Sequence, residues 1–181
     1  MHVITLIETL LILNRTFPSF FSKTPLGFIA ATSPFLSRIR VTDTFLIGSL
    51  LIYLATLIRL ACYRALGRHF TFQLAILSKH KLVTCGPYSV VRHPSYTASV
   101  VFNIAVVLCQ VGAGSWLREI VMRGGIERQA IGAMWICAVT TVSFLLVGRV
   151  PKEDMVLRKE FGAEWDRWAE KTKYRLLPGI Y

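Results

Sequence analysis

The chain has 181 residues and a formal net charge of +11 at pH 7, with 54% hydrophobic and 17% charged residues. A water-soluble domain of this length would expose too much apolar surface with so few charges, so the composition indicates a membrane protein with one domain, residues 1–181. The basic residues lie between apolar segments instead of along one soluble face, which favours anionic lipid headgroups over nucleic acid as their partner.

Three apolar segments are long enough to cross a bilayer, which takes about 20 helical residues. They are residues 44–63, 97–117 and 129–148. Arg59, near the end of the first, is expected to reach the headgroup layer. In residues 1–40, two shorter apolar stretches (3–13 and 26–36) are punctuated by prolines. They predict a further span, a broken helical pair or an interfacial element, and the expected fold is an all-α integral membrane protein of about four transmembrane helices.

Charge in the connecting segments predicts the topology. The loop 64–96 contains five lysines and arginines and no acidic residue, and the tail 149–181 contains eight basic and six acidic residues. These two segments flank a pair of spans and therefore share one side of the membrane. Their excess of basic residues predicts that this side is the cytosol.

The tail is predicted to be an amphipathic helix. Phe161, Trp165 and Trp168 share one helical face beside charged residues, which suits a membrane interface. Pro151 is tolerated best in a first helical turn, so the helix is predicted to begin near it, and Gly162 is expected to divide it in two.

The cysteines give no sign of a cross-linked or metal-bound protein. The four, Cys62, Cys85, Cys109 and Cys137, include no CxxC pair and no cluster with ligand spacing. Three lie in or beside apolar segments, where cysteine acts as a small hydrophobic side chain. The sequence therefore predicts neither a disulfide framework nor a metal site.

The loop segment "HKLVTCGPYSVVRHPSY", residues 80–96, is the richest in directional polar side chains. Pro94 removes a backbone donor and favours an extended His93, so Arg92, His93 and Tyr96 stand at the mouth of the second span. Each of these three has an ordinary structural explanation when taken alone. Two rigid turns and several directional side chains together predict a pocket.

This loop, the hydrophobic hairpin after it and "RVPKEDMVLRKEFGAEWDRW" (149–168) together resemble the isoprenylcysteine carboxyl methyltransferase family. The family pattern is H-x-L-V-T-x-G-x-Y-x-x-x-R-H-P-x-Y, then R-x-x-x-E-E and F-G-x-E-Y. The resemblance covers about the C-terminal two-thirds of the chain. It implies an S-adenosylmethionine-dependent methyltransferase acting on the C-terminal carboxylate of a prenylated cysteine, in CaaX processing at the endoplasmic reticulum membrane. The cofactor pocket is then cytosolic and closed by a C-terminal helix.

The resemblance also implies roles for individual residues. Those matching the cofactor-binding positions are His80, Leu82, Val83, Gly86, Tyr88, His93 and Tyr96. Those matching the polar residues at the reacting end, with a catalytic role, are Arg92, Arg149 and Glu153. An arginine fork suits a carboxylate, so Arg149 or Arg92 is predicted to hold the substrate, and Glu153 to orient that arginine or bind the cofactor amino group. Arg149 and Glu153 share a face if one helix contains both.

The sequence departs from the family pattern at four positions. Asp154 replaces the second glutamate, Trp165 and Trp168 stand where tyrosine is usual, and Ala98 replaces a glycine after R-H-P-S-Y. Ala98 is expected to affect efficiency and not the type of reaction.

Three other functions stay open on sequence. A phospholipid or small-molecule N-methyltransferase could share this architecture, although the arginine-rich pocket mouth favours an anionic acceptor. A sterol-reductase-like NADPH oxidoreductase would need a more basic, glycine-rich phosphate site. A non-catalytic membrane scaffold would tolerate replacement of Arg149 or Glu153.

Overall fold

The computed structural model describes residues 10, 12–14, 17–21, 38–67 and 81–180. Its helices are α1 (Pro18–Phe21), α2 (Asp43–Leu66), α3 (Pro94–Val111), α4 (Ile126–Phe161) and α5 (Ala163–Lys171), with a 3-10 turn at Gly86–Ser89 and a π-helical turn at Leu117–Met122. These described residues contain no strand, and the predicted all-α fold is confirmed. Most of residues 3–13, all of 26–36 and His80 lie outside the described residues.

Three of the described helices are long and apolar enough to cross a membrane. They are α2 with 24 residues, α3 with 18 and α4 with 36. All three predicted spans are therefore confirmed as helices of spanning length, although their ends differ from the prediction. The second span begins at Pro94 and ends at Val111 instead of residue 117. The chain turns soon afterwards at Gly114, whose φ of +80° suits glycine.

Helix α4 passes through Pro151, so the prediction that a separate tail helix begins there is wrong. A proline inside a helix removes one backbone hydrogen bond. Val150 and Asp154, on either side of Pro151, are only 0% and 5% exposed, and the packing of this segment compensates for the missing bond. The predicted division at Gly162 is confirmed, because this residue has a φ of +51° and separates α4 from α5. At about 1.5 Å per residue α4 is about 54 Å long, well beyond the roughly 30 Å of a hydrocarbon core.

The chain forms two compact units. The first comprises residues 1–50 and 105–139, and the second comprises residues 51–104 and 140–181. In the first unit, Thr42 donates from Oγ1 to the Ala113 carbonyl at 3.1 Å. The buried Glu119 accepts a bond from the Gly114 amide at 3.3 Å and pairs with Arg123 at 3.3 Å. The second unit contains all the described candidate site residues.

Close helix packing in the first unit makes a prediction about Gly48. A Cβ atom added to Gly48 would overlap the Cys109 sulfur and lie 3.1 Å from the Ala105 carbonyl oxygen. Gly48→Ala should therefore destabilise the protein by about 1–3 kcal/mol, since neither neighbour can move without disturbing helix α3. Gly148→Ala is the matched control, because its added Cβ meets nothing within 4 Å. Thermal unfolding in detergent should show a lower midpoint for Gly48→Ala alone, and equal midpoints would contradict this packing.

Candidate active site

The loop before α3 and the tail after α5 run side by side in the second unit. Three hydrogen bonds are donated by the loop and the first turn of α3 to tail carbonyls: Arg92 N to Tyr174 O at 2.9 Å, His93 N to Arg175 O at 2.9 Å and Thr97 Oγ1 to Leu176 O at 2.7 Å. A fourth runs from Arg92 Nη2 to Lys173 O at 3.2 Å. These contacts place the loop and the tail next to each other, as expected for segments on one side of a membrane.

A buried carboxylate contacts residues of both the loop and the tail. Asp154 of α4 is 5% exposed. Its Oδ1 lies 2.8 Å from His93 Nε2, and its Oδ2 lies 3.2 Å from Arg92 Nη1 and 3.1 Å from Arg175 Nε. In the sequence, Asp154 is distinguished only as a departure from the family pattern. The structure makes it the acidic centre of a cluster that joins α4, the loop and the tail.

The two tail tryptophans pack inward against the loop. Trp165 and Trp168 are 8% and 6% exposed. Trp168 donates from Nε1 to the Tyr88 carbonyl at 3.1 Å, and the Arg92 guanidinium lies 5.5 Å from the ring centre of Trp165. The membrane-interface role predicted for these two side chains is wrong, because both indole rings are buried within the protein against the loop.

A second acidic residue, Glu153, directly precedes Asp154 and contacts a different set of side chains. Tyr96 donates from its hydroxyl to Glu153 Oε2 at 2.5 Å, and Arg149 Nε lies 3.7 Å from the same oxygen. Arg149 and Glu153 therefore share a helical face, as predicted for a continuous helix. The His93 ring, held by Asp154, stacks on the Tyr96 ring with centroids 5.7 Å apart. His93 thus connects the two carboxylates through ring contact.

Tyr88 lines the same region from the loop. Its hydroxyl is hydrogen-bonded to Cys62 of α2, and it also interacts electrostatically with the Glu153 carboxylate. Burial, followed by these neighbouring groups, raises the pKa of the Tyr88 hydroxyl. The phenol therefore stays protonated near neutral pH and keeps its role as a hydrogen-bond donor.

Arg59 is the polar residue whose role sequence reasoning missed. It lies in α2, seven residues before Leu66, or about 10 Å from the helix end. Its Nη1 donates to Ser99 Oγ at 2.7 Å and its Nη2 donates to the Tyr63 hydroxyl. In the described part of the chain, no carboxylate pairs with this guanidinium. An ionised side chain inside an apolar span is itself the signal that could have identified it.

Two contacts relate Arg59 to the Glu153 group. Ser99 lies three residues after Tyr96 on α3, and Cys62 lies three residues after Arg59 on α2, so each pair shares a helical face. Arg59 therefore binds Ser99, one helical turn from Tyr96 on α3, and lies one helical turn from Cys62, which interacts with Tyr88.

The other predicted site residues have more peripheral positions. Leu82 and Val83 are half-buried in the loop, and Gly86 begins the 3-10 turn with a φ of +61°. Ala98 is 1% exposed on α3. Arg92, predicted as a substrate clamp, binds Asp154 and the tail, while His80 lies outside the described residues.

Comparison with known proteins identifies relatives for most of this chain. The model of the isoprenylcysteine carboxyl methyltransferase family matches residues 46–122. A probable protein-S-isoprenylcysteine O-methyltransferase of Oryza sativa subsp. indica is 27% identical over 136 residues, which are 70% of this chain and 57% of the relative. Protein-S-isoprenylcysteine O-methyltransferase B of Arabidopsis thaliana is 27% identical over 129 residues, 69% of this chain and 55% of the relative.

A second group of relatives has a different activity. The 7-dehydrocholesterol reductase of Danio rerio is 28% identical over 105 residues, 58% of this chain but 18% of the reductase. The chain thus spans somewhat more than half the length of the methyltransferases it matches, and a small part of the reductase. The family match ends before Arg149, Glu153 and Asp154, so the grouping of these three rests on the geometry above.

Proposed function

We propose that this chain is a member of the isoprenylcysteine carboxyl methyltransferase family and that it transfers a methyl group from S-adenosylmethionine to the C-terminal carboxylate of a prenylated cysteine. The observation that carries this proposal is the Arg59 guanidinium, which lies in an apolar span, has neutral described partners and donates to Ser99, one helical turn from Tyr96 of the Tyr96–Glu153 pair. A cation placed there suits an anionic group on a molecule that is otherwise lipid.

Arg59 is the guanidinium best suited to the substrate carboxylate. Arg92 is already bound to Asp154, and Arg149 lies beside Glu153, so their charges are balanced within the protein. An arginine offers paired donors in one plane, which match the two oxygens of a carboxylate. Since a carboxylate is ionised near pH 7, the acceptor needs no general base. The prenyl chain would remain in the hydrocarbon next to α2.

The residues around Glu153 fit the methyl donor. The Tyr88 and Tyr96 rings and the Glu153 carboxylate suit a sulfonium cation and an amino group. Arg149 Nε is buried with no hydrogen-bond partner within the described residues, and it can donate to an anionic group. When bound, S-adenosylmethionine supplies an electrophilic methyl group. Tyr88, His93 and Tyr96 would hold it together with the loop residues Leu82, Val83 and Gly86 and with His80.

The protein contributes position and electrostatics. Arg59 holds the acceptor carboxylate, while Tyr96 and Arg149 fix the Glu153 carboxylate from two sides. Fixing two reactants in attack geometry lowers a barrier by roughly 7–11 kcal/mol. The site is part-buried, and reduced contact with water strengthens these charge interactions. The site faces the cytosol at the endoplasmic reticulum membrane, where it receives either a CaaX protein terminus or a small prenylcysteine.

Methyl transfer in proteoliposomes tests the proposal. The purified protein is incubated with methyl-labelled S-adenosylmethionine and either N-acetyl-farnesylcysteine or phosphatidylethanolamine. We expect label in a base-labile ester of the prenylcysteine and none in the phospholipid. Label in phosphatidylethanolamine alone would identify an N-methyltransferase, and NADPH-dependent reduction of a sterol without methyl transfer would identify a reductase. Either result would overturn the proposed function.

A further inference from the structure

We propose that Asp154 and Arg175 are positioning residues that hold tail residues 173–176, here called the tail strap, against the loop and thereby fix His93 and Tyr96 in the methyl-donor pocket. The inference rests on the proposed function for the identity of the ligand. The contacts that carry it belong to the protein alone and can be measured without any catalysis.

Backbone bonds hold the tail strap to the loop. Each of its four residues offers a carbonyl oxygen to Arg92, His93 or Thr97. The residues that bound or end the strap, Thr172 and Leu176, are 4% and 7% exposed. The strap therefore covers the turn that leads from the loop into α3.

Ion pairs connect the loop and the tail strap to α4. The Asp154 carboxylate is 5% exposed and pairs with Arg92, His93 and Arg175. Without that charge, the guanidinium groups of Arg92 and Arg175, both within 3.2 Å of the same Asp154 oxygen, would face each other uncompensated. Such like charges repel strongly when they are buried. Loss of the Asp154 charge should therefore release the strap from the loop.

Asp154 and Arg175 influence the methyl-donor pocket through the position of the His93 ring. Asp154 fixes one edge of the His93 ring at 2.8 Å, the ring stacks on Tyr96, and Tyr96 donates to Glu153 at 2.5 Å. The described contacts of Asp154 are with Arg92, His93 and Arg175, and the Arg175 carbonyl accepts from the His93 amide. Replacement of Asp154 or Arg175 should therefore weaken binding of the methyl donor, which contacts His93 and Tyr96, and leave recognition of the prenylcysteine at Arg59 unchanged.

The test compares charge-removing and conservative variants. Asp154→Asn and Arg175→Ala should speed hydrogen exchange of the Arg92 and His93 amides about tenfold or more, because their acceptors lie on the strap. The same variants should weaken S-adenosylhomocysteine binding by about tenfold, while the KM for N-acetyl-farnesylcysteine changes by less than about twofold. Asp154→Glu and Arg175→Lys keep the charge and should restore much of both properties.

Asp166→Asn is the matched control, since it breaks the exposed tail pair between Asp166 and Arg158 and should change neither measurement. The Arg175 side chain is 35% exposed, so its variants test the inference even where Asp154→Asn does not fold. Unchanged exchange in Arg175→Ala would overturn the role of the strap. Faster exchange with unchanged S-adenosylhomocysteine affinity would overturn the positioning role. Wild-type protein that binds no S-adenosylhomocysteine would instead refute the proposed function, with exchange still reporting on the strap.

Discussion

Arg59→Ala should lower kcat/KM for N-acetyl-farnesylcysteine by about 100-fold or more, with S-adenosylhomocysteine affinity changed by less than about twofold. The guanidinium donates to Ser99 and to Tyr63 and has no described carboxylate partner, so its charge is available to the substrate. Removing one partner of an ion pair that is shielded from water, as expected for a carboxylate bound to Arg59 within an apolar span, costs about 3–5 kcal/mol, which corresponds to at least two orders of magnitude.

Two controls separate this role from general loss of charge. Arg64→Ala removes an exposed arginine one to two turns further along the same helix and should leave activity unchanged. Arg59→Lys keeps the charge without the planar pair of donors and should be intermediate. Full activity in Arg59→Ala would refute carboxylate binding at this residue. Lost cofactor affinity with an unchanged KM for the prenylcysteine would place the arginine in the methyl-donor pocket instead.

Glu153→Gln should reduce methyl transfer by about 100-fold, whereas Glu160→Gln should have little effect. The glutamine keeps the shape of the side chain but loses the negative charge. That charge pairs with Arg149 and strengthens the hydrogen bond that Glu153 accepts from Tyr96. Glu160 lies on the same helix and is exposed, so it controls for the loss of one acidic residue from α4.

Steady-state kinetics with S-adenosylhomocysteine titration measures both glutamate variants. A lower kcat together with weaker cofactor binding is expected for Glu153→Gln, because in the proposed site the carboxylate faces the methyl donor, and it also pairs with Arg149. If both variants were equally active, Glu153 would be a surface partner of Arg149 with no part in the reaction. An exposed helical pair of that kind contributes about 0.3–0.5 kcal/mol.

The spans were predictable because a bilayer imposes a simple requirement on sequence. About 20 consecutive apolar residues must be helical, since no water is present to satisfy exposed backbone groups. Helix ends were less predictable, because they depend on local packing. Pro151 shows this: its ring favours a helix start, but the burial of Val150 and Asp154 on both sides keeps α4 continuous.

The candidate site was partly predictable from motif spacing. The R-H-P-S-Y segment and the Arg149–Glu153 spacing predicted groups that the structure brings together through Tyr96. Arg59 and Asp154 were missed because their roles depend on partners 40 and 61 residues away. The environment of the tail tryptophans was predicted wrongly for a related reason. Helical periodicity shows that an apolar face exists without showing what covers it.

The tail strap makes the length of the preceding segment more important than its composition. Because carbonyl oxygens accept its bonds to the loop, the exposed side chains of Lys173 and Tyr174 can be exchanged without altering them. Inserting or deleting one residue between Trp168 and Arg175 is different. It would shift every acceptor by one position and move the Arg175 guanidinium away from Asp154 while Trp168 stayed docked on Tyr88. Residues 169–172 thus act as a spacer of fixed length between two anchors.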